Sequence, residues 1–228
     1  MSPERGTVIV TGGSSGLGAA VVERLAQKGF APVSLDLRPA ENGHRHLRVD
    51  LANRRAAEDA VEEIAAGTAL RGVVTAAGID ACGPLDGVPA DDWERVVAVN
   101  LLGTAAVVRA ALPHLEAASG RVVTVASTLG LRGMGDATAY CASKFGVIGF
   151  TRALAAETAG RVGVTLLVPG GMQTSFFDGR DERYRPGPDA QLAAPAEVAE
   201  AVVFALMRPD GCEVRELLVA PSRETSWP

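Results

Sequence analysis

Apolar residues along this chain follow two alternating patterns. The stretches Thr7-Val8-Ile9-Val10, Gly72-Val73-Val74-Thr75-Ala76-Ala77, Arg121-Val122-Val123-Thr124-Val125 and Val164-Thr165-Leu166-Leu167-Val168 are short and rich in β-branched residues. Runs of that length, apolar on both faces, predict buried strands of a parallel sheet. Shorter runs at 32–35, 46–49 and 215–219 predict three more, for about seven in all. Between the strands, apolar residues recur every three or four positions: Leu17, Val21 and Leu25, then Ala57, Val61, Ile64 and Ala65. That period predicts amphipathic helices. Further helices are expected at 91–112, 139–157 and 196–207. Pro113 should end or bend the first of these, and Pro195 suits the first turn of the last. Strands alternating with helices over the whole chain predict an α/β protein. It would be a doubly wound parallel sheet with helices on both faces, right-handed crossovers and a single domain, 1–228.

Two segments break the pattern. The helices at 91–112 and 139–157 are apolar on more than one face, so each wants a second partner, either core or another subunit. The stretch 172–194 holds Gly, Pro, Arg and Asp with few apolar residues. A loop of that length inside a compact domain reads as a functional insertion over a site.

Composition narrows the classes. With 47% hydrophobic and 21% charged residues, disorder is excluded. A net charge of −5 argues against nucleic acid or an anionic membrane as main partner. No consecutive apolar run approaches the roughly 18 residues of a membrane span, and the N-terminal residues lack a signal-peptide core. A cytoplasmic location is expected. The three cysteines, Cys82, Cys141 and Cys212, have no metal-ligand spacing. They read as free, mostly buried thiols, and no metal is expected. His44, His46 and His114 read as surface or loop residues.

Chemistry concentrates in a few places. After the first strand come Thr11-Gly12-Gly13-Ser14-Ser15-Gly16-Leu17-Gly18 and then a helix. Strand, glycine turn and helix together bring a diphosphate onto unpaired N–H groups at a helix N-terminus. Asp36 ends the second strand roughly 20 residues after Gly16, where a dinucleotide fold holds its ribose-binding acid. Tyr140 and Lys144, at i and i+4, share one helix face. An ammonium beside the phenol is expected to lower its pKa from the ordinary value near 10, readying it for proton transfer near neutral pH.

Taken together these residues resemble the short-chain dehydrogenase/reductase family, over essentially the whole chain. The glycine loop is similar to the family's Thr-Gly-x-x-x-Gly-x-Gly. Asp50-Leu51, Ala77-Gly78, Asn100, Ser127 at the family's spacing before Tyr140, and Pro169-Gly170 with Thr174 match its other motifs. The resemblance implies a Rossmann-type fold and a catalytic set of Asn100, Ser127, Tyr140 and Lys144. Tyr140 would be the general acid/base. Lys144 would lower its pKa and bind the nicotinamide ribose. Ser127 would hydrogen-bond the substrate oxygen, and Asn100 would hold a water in a proton relay. It further implies a cofactor site of Gly12, Ser14, Ser15, Gly16, Leu17, Gly18, Asp36, Leu37, Asp50, Leu51, Ala76, Ala77, Gly78, Tyr140, Lys144, Pro169, Gly170, Met172 and Thr174. The chain departs from the family pattern at Thr75 and Ala76, where two Asn are usual, at Thr165, and in its tail, which lacks Asp-Gly-Gly.

The function expected is NAD-dependent interconversion of a secondary alcohol and a ketone, with NAD favoured over NADP. The alternatives are an epimerase or dehydratase of the same family, or a dinucleotide-sensing protein without turnover. The partners expected are a small alcohol or ketone and a second copy of the chain, in a homodimer or homotetramer, with no nucleic acid or membrane. Arg180, Arg183 and Arg185 read as a solvated charged lid; the alternative is that one of them meets a substrate carboxylate or phosphate.

Overall fold

In the computed structural model, which describes residues 5–39, 43–224 and 226, the strands are β1 (Thr7–Thr11), β2 (Ala31–Asp36), β3 (Arg45–Arg48), β4 (Leu70–Thr75), β5 (Arg121–Val125), β6 (Gly163–Pro169) and β7 (Glu216–Val219). All pair in parallel, in the order β3-β2-β1-β4-β5-β6-β7. The helices are α1 (Gly16–Gln27), α2 (Arg54–Ala65), α3 (Ala90–Val97), α4 (Thr104–Ala117), α5 (Thr138–Glu157) and α6 (Pro195–Leu206).

The period-two geometry of a strand explains the two cores. Successive side chains point to opposite faces. Val8, Val10, Val74 and Val123 pack with Leu17, Val21 and Leu25 of α1 and with Val198 and Val202 of α6. Ile9, Val73 and Val122 point the other way, onto Ala57, Val61 and Ile64 of α2 and Val107, Ala111 and Leu115 of α4. Apolar runs with no polar face are what a sheet covered on both sides requires. The chain leaves β1 toward β2 on one side and returns to pair β4 on the other. That reversal opens a crevice at the carboxyl ends of β1 and β4, where ligands of such sheets bind.

Three departures from expectation have local causes. First, β4 stops at Thr75, not at Ala77. The next residues leave the ladder to meet the glycine loop, where Ala77 N donates to Thr11 Oγ1 at 3.1 Å. Second, Pro113 does not end its helix, which runs on to Ala117. The proline removes only one donor, and fully buried Leu115 anchors the last turn in the core. Third, a π-helical turn, Ala98–Gly103, joins α3 to α4. The continuous helix Ala90–Ala117 is long and apolar enough, by length and composition, to cross a membrane, with half of the apolar window buried inside the fold. Asn100 and Arg109 interrupt it, so a count of consecutive apolar residues passes over it.

The minor assignments divide. His46 lies on β3, within the strand expected at 46–49, and is partly buried. All three thiols are free, but only Cys141 is buried; Cys82 is half-buried and Cys212 is exposed.

Candidate active site

The glycine loop is shaped by close contact. Gly12 has φ of +70°, and a Cβ there would stand 2.7 Å from Ala77 Cα. A Cβ on Gly18 would overlap the Gly12 carbonyl. Both positions therefore admit only glycine. With Thr75 and Ala76 in place of two amides, Thr11 does the bracing through its bond from Ala77 N. Thr75 Oγ1 is buried without a hydrogen-bond partner among the described residues.

At the head of α1, Ser15 is extended, its side chain makes no capping bond, and no acid stands in the first turn. The helix N-terminus thus keeps its N–H groups and its positive end for an anion. Asp36 is held beside the loop: Oδ2 accepts from Ser14 N at 3.1 Å and Oδ1 from Arg38 N at 3.3 Å. The Ser14 hydroxyl donates to the Arg38 carbonyl. Thr174 lies against Gly16, within 3.3 Å of where a Cβ would be, so the segment after β6 reaches the glycine loop. A cradle that a Cβ would fill, an uncapped helix and a pinned carboxylate fit a dinucleotide.

Other predicted cofactor positions are differently placed. Leu37 is exposed beyond Asp36, whereas Leu51 is buried in the core. Asp50 already accepts Arg95 Nη2 at both oxygens, 3.3 and 3.1 Å, and Ala52 N at 3.0 Å.

The other predicted residues converge at the ends of β4 and β5. Ser127 follows β5 and caps a short helical turn, accepting from Leu129 N at 3.1 Å. Tyr140, in the first turn of α5, hydrogen-bonds Ser127 through its hydroxyl. One turn on, buried Lys144 donates from Nζ to Val125 O at 2.9 Å, with Nζ 5.6 Å from the centre of the Tyr140 ring. Gly78 lies alongside: a Cβ there would be 3.6 Å from Lys144 Nζ and 3.8 Å from Asn100 Oδ1. Asn100 sits in the π-helical turn. Its Oδ1 accepts from Ile79 N, while Nδ2 donates to Ile79 O and, at 3.0 Å, to Ser143 Oγ. The amide braces the loop after β4 through Ile79 and ties it to α5 through Ser143, and π-turns are frequent at such sites.

The electrostatics reverse one expectation. Burial pushes Tyr140 up to about 12, only partly opposed by the Ser127 hydrogen bond. Burial also pushes Lys144 down to about 8. The same desolvation that weakens the phenolate weakens the ammonium, so the lysine does not pull the tyrosine below its ordinary value. At neutral pH the Tyr140 phenol therefore keeps its proton.

The lysine shift has a consequence for stability. A lysine whose pKa falls on folding binds fewer protons folded than unfolded from about pH 8 to its ordinary 10.5. The contribution of Lys144 to stability therefore rises with pH across that window, against the opposite contributions of Cys82 and Tyr140, whose pKa values burial raises. We expect Lys144→Met to lose this part of the rise, measured as urea midpoints at pH 7.5, 9 and 10.5. Parallel curves for the variant and wild type would refute it.

Three loops close over this group. Arg180 Nη2 lies 3.1 Å from Asp80 Oδ2, with both side chains largely buried. Its guanidinium sits 4.5 Å from the Phe176 ring and 4.8 Å from the Phe177 ring, and Phe176 packs on Tyr140 at 5.5 Å. Tyr184 donates to Asp136 Oδ2 at 3.0 Å, and Gly83 N donates to Asp136 O at 2.8 Å. Arg180 is thus no solvated lid residue, although Arg183 and Arg185 are exposed. A cleft of about 610 Å³, lined by Thr174, Phe177, Arg185 and Leu192 among others, opens on the outer side of the 172–194 segment. Neither Ser127 nor Tyr140, the latter packed against Phe176, lines it.

Several residues around the site escaped the sequence reading. Asp80 and Asp136 sit in turn-rich loops where acids are common, and nothing in their spacing sets them apart. Glu224 lies far along the chain, yet its Oε2 accepts from Gly171 N at 2.7 Å. Ser226 Oγ meets Thr128 Oγ1 at 2.6 Å, tying the tail to the residue after Ser127. Gly170 and Gly171 are therefore backed by the tail.

Known proteins agree with this geometry. The family model described as short chain dehydrogenase matches residues 6–185. The D-threitol dehydrogenase of Mycolicibacterium smegmatis is 34% identical over 217 residues, which cover 86% of this chain and 84% of that protein. Carbonyl reductase family member 4 of Danio rerio is 34% identical over 216 residues, covering 88% and 91%. Among solved structures, the aldohexose dehydrogenase of Thermoplasma acidophilum in ligand-free form superposes with a TM-score of 0.85 at 25% identity, covering 94% of this chain and 92% of that one. The chain belongs to the short-chain dehydrogenase/reductase family, oxidoreductases that bind a nicotinamide dinucleotide.

Proposed function

We propose that this protein is an NAD-dependent oxidoreductase that interconverts a secondary alcohol and a ketone. The observation that carries the reading is the Tyr140–Ser127 hydrogen bond with Lys144 one helical turn on, at the crevice where the glycine loop meets the end of β4. A sensor of dinucleotides needs the loop but has no use for a positioned proton donor.

The bound nicotinamide supplies or accepts the hydride. In the direction of ketone reduction, the Tyr140 hydroxyl gives its proton to the carbonyl oxygen. Its high pKa keeps that proton in place until charge develops on the substrate. Ser127 offers a second hydrogen bond to the same oxygen and steadies the alkoxide. Lys144, held by Val125 O, would bind the ribose, and its ammonium steadies the phenolate left when the Tyr140 proton has gone. Asn100 keeps Ile79 and Gly78 in position for that contact. Gly12 to Gly18 and the head of α1 would hold the diphosphate, Asp36 the adenosine ribose, and Thr174 with the backbone of 169–172 the carboxamide. In this reading 1–228 is one cofactor-binding domain and 172–194 its substrate loop. The free thiols and the charge of −5 support a reducing, cytoplasmic setting. Screening secondary alcohols with NAD, and their ketones with NADH, by nicotinamide absorbance tests the reading. No turnover with any alcohol or ketone, despite NADH binding, refutes it.

The same reading includes self-association. Leu102, in the π-helical turn, and Phe145, on α5, are 38% and 47% exposed on the two helices whose apolar surface exceeds what the core covers. Pairing these helices with those of a second copy would bury both side chains. Light scattering at micromolar concentration should give the mass of a dimer or tetramer; a monomer mass overturns the expectation.

A further inference from the structure

The Arg180–Asp80 pair is a charged group in a place where packing alone would call for apolar residues. Its side chains are 15% and 7% exposed, and the guanidinium is flanked by two phenyl rings. One of those rings, Phe176, also packs on Tyr140. Asp80 Oδ1 accepts from Ala81 N at 2.8 Å, and Oδ2 accepts from Cys82 Sγ at 3.2 Å. Arg180 Nη2 is buried yet makes no well-formed hydrogen bond, even to the nearby carboxylate. The pair therefore has unused capacity of both kinds: guanidinium donors, and a remaining lone pair on Asp80. Buried groups left in that condition are expected to have a partner, and a ligand is one such partner.

We propose that Asp80 and Arg180 form a subsite that reads a hydroxyl on the carbon next to the reacting one, so that the substrates are vicinal diols and α-hydroxy ketones. This deepens the oxidoreductase reading above and rests on it. A hydroxyl is the small group that both donates and accepts. It can give its proton to Asp80 while taking one from Arg180. A carboxylate can take from Arg180 but meets the like charge of Asp80, and the two effects oppose each other. A methyl group satisfies neither. Phe176 joins the pair to the site, its ring 4.5 Å from the Arg180 guanidinium and 5.5 Å from the Tyr140 ring, so the pair lines the same pocket wall as the tyrosine. In the reduction of such a ketone, the carbonyl carbon would gain the hydride of NADH and its oxygen the Tyr140 proton; the products are the diol and NAD, and the Tyr140 phenolate takes back one proton from solvent. The neighbouring hydroxyl keeps its proton throughout.

Three four-carbon ketones separate the possibilities: acetoin, which carries the neighbouring hydroxyl; butanone, which lacks it; and acetoacetate, which carries a carboxylate. We expect kcat/KM for acetoin to exceed that for butanone and for acetoacetate by at least about tenfold in the wild-type enzyme. Arg180→Met should bring the acetoin-to-butanone ratio near one. Asp80→Asn, which removes the charge and keeps the shape, should raise acetoacetate relative to acetoin. Equal use of acetoin and butanone by the wild type overturns the subsite while leaving the oxidoreductase reading intact, and so does a preference for acetoacetate. Reduction of none of the three overturns the subsite; the broader reading then falls only if the alcohol and ketone screen also fails. The wild-type comparison stands even if a variant fails to fold.

Discussion

Tyr140→Phe is expected to lower kcat by at least about a hundredfold while NADH still binds. The substitution keeps the ring and its packing on Phe176, so the site should keep its shape. It removes the hydroxyl that is bonded to Ser127 one turn from Lys144. Positioned proton transfer contributes roughly 10²–10⁴ to rate. Steady-state kinetics together with NADH fluorescence titration measure both halves of the expectation. A variant retaining more than about a tenth of wild-type kcat has lost less than roughly 1.4 kcal/mol of barrier stabilisation, and the role assigned to Tyr140 would be wrong. The pH dependence adds a check. Because burial sets the tyrosine at about 12, ketone reduction should not fall as pH rises from 6 to 7 through ionisation of this group.

Asp36 is expected to make NAD preferred over NADP by at least about tenfold in kcat/KM, and Asp36→Ala to narrow or invert that preference. A 2′-phosphate brings about −1.5 to −2 charges. Set about 4 Å from a carboxylate, each charge pair is opposed by roughly 4 kcal/mol at an effective dielectric near 20. The carboxylate cannot easily turn away, because Ser14 N and Arg38 N each hold one of its oxygens. Arg38 supplies the opposing term. Its backbone is fixed through the Ser14 hydroxyl, but the residue is exposed and its long side chain can reach a phosphate or solvent. With the carboxylate gone, Arg38 faces the phosphate unopposed. Parallel kinetics with both cofactors decide the matter: equal use, or a preference for NADP, in the wild type ends the argument from Asp36.

The sequence alone determined the layout and the local pairings. Strand runs such as 121–125 were legible because a strand covered on both faces is apolar throughout, and helix α1 because its buried positions repeat every three to four residues. The Tyr140–Lys144 pair was legible because i and i+4 share a helix face wherever the helix goes. The glycine loop was legible because Gly12 and Gly18 lie where any Cβ would strike backbone. What depended on distance through space was not. The tyrosine's pKa rises because the surrounding fold removes water, a quantity that spacing from Lys144 does not contain. Asp80 meets Arg180, and Gly171 meets Glu224, across separations that no period connects. Arg180 read as a solvated residue because its neighbours in sequence are polar. Only the folding of loop 172–194 onto Phe176 and Asp80 gave it a buried position, since the burial of a side chain is decided by what packs over it and not by the residues beside it in the chain.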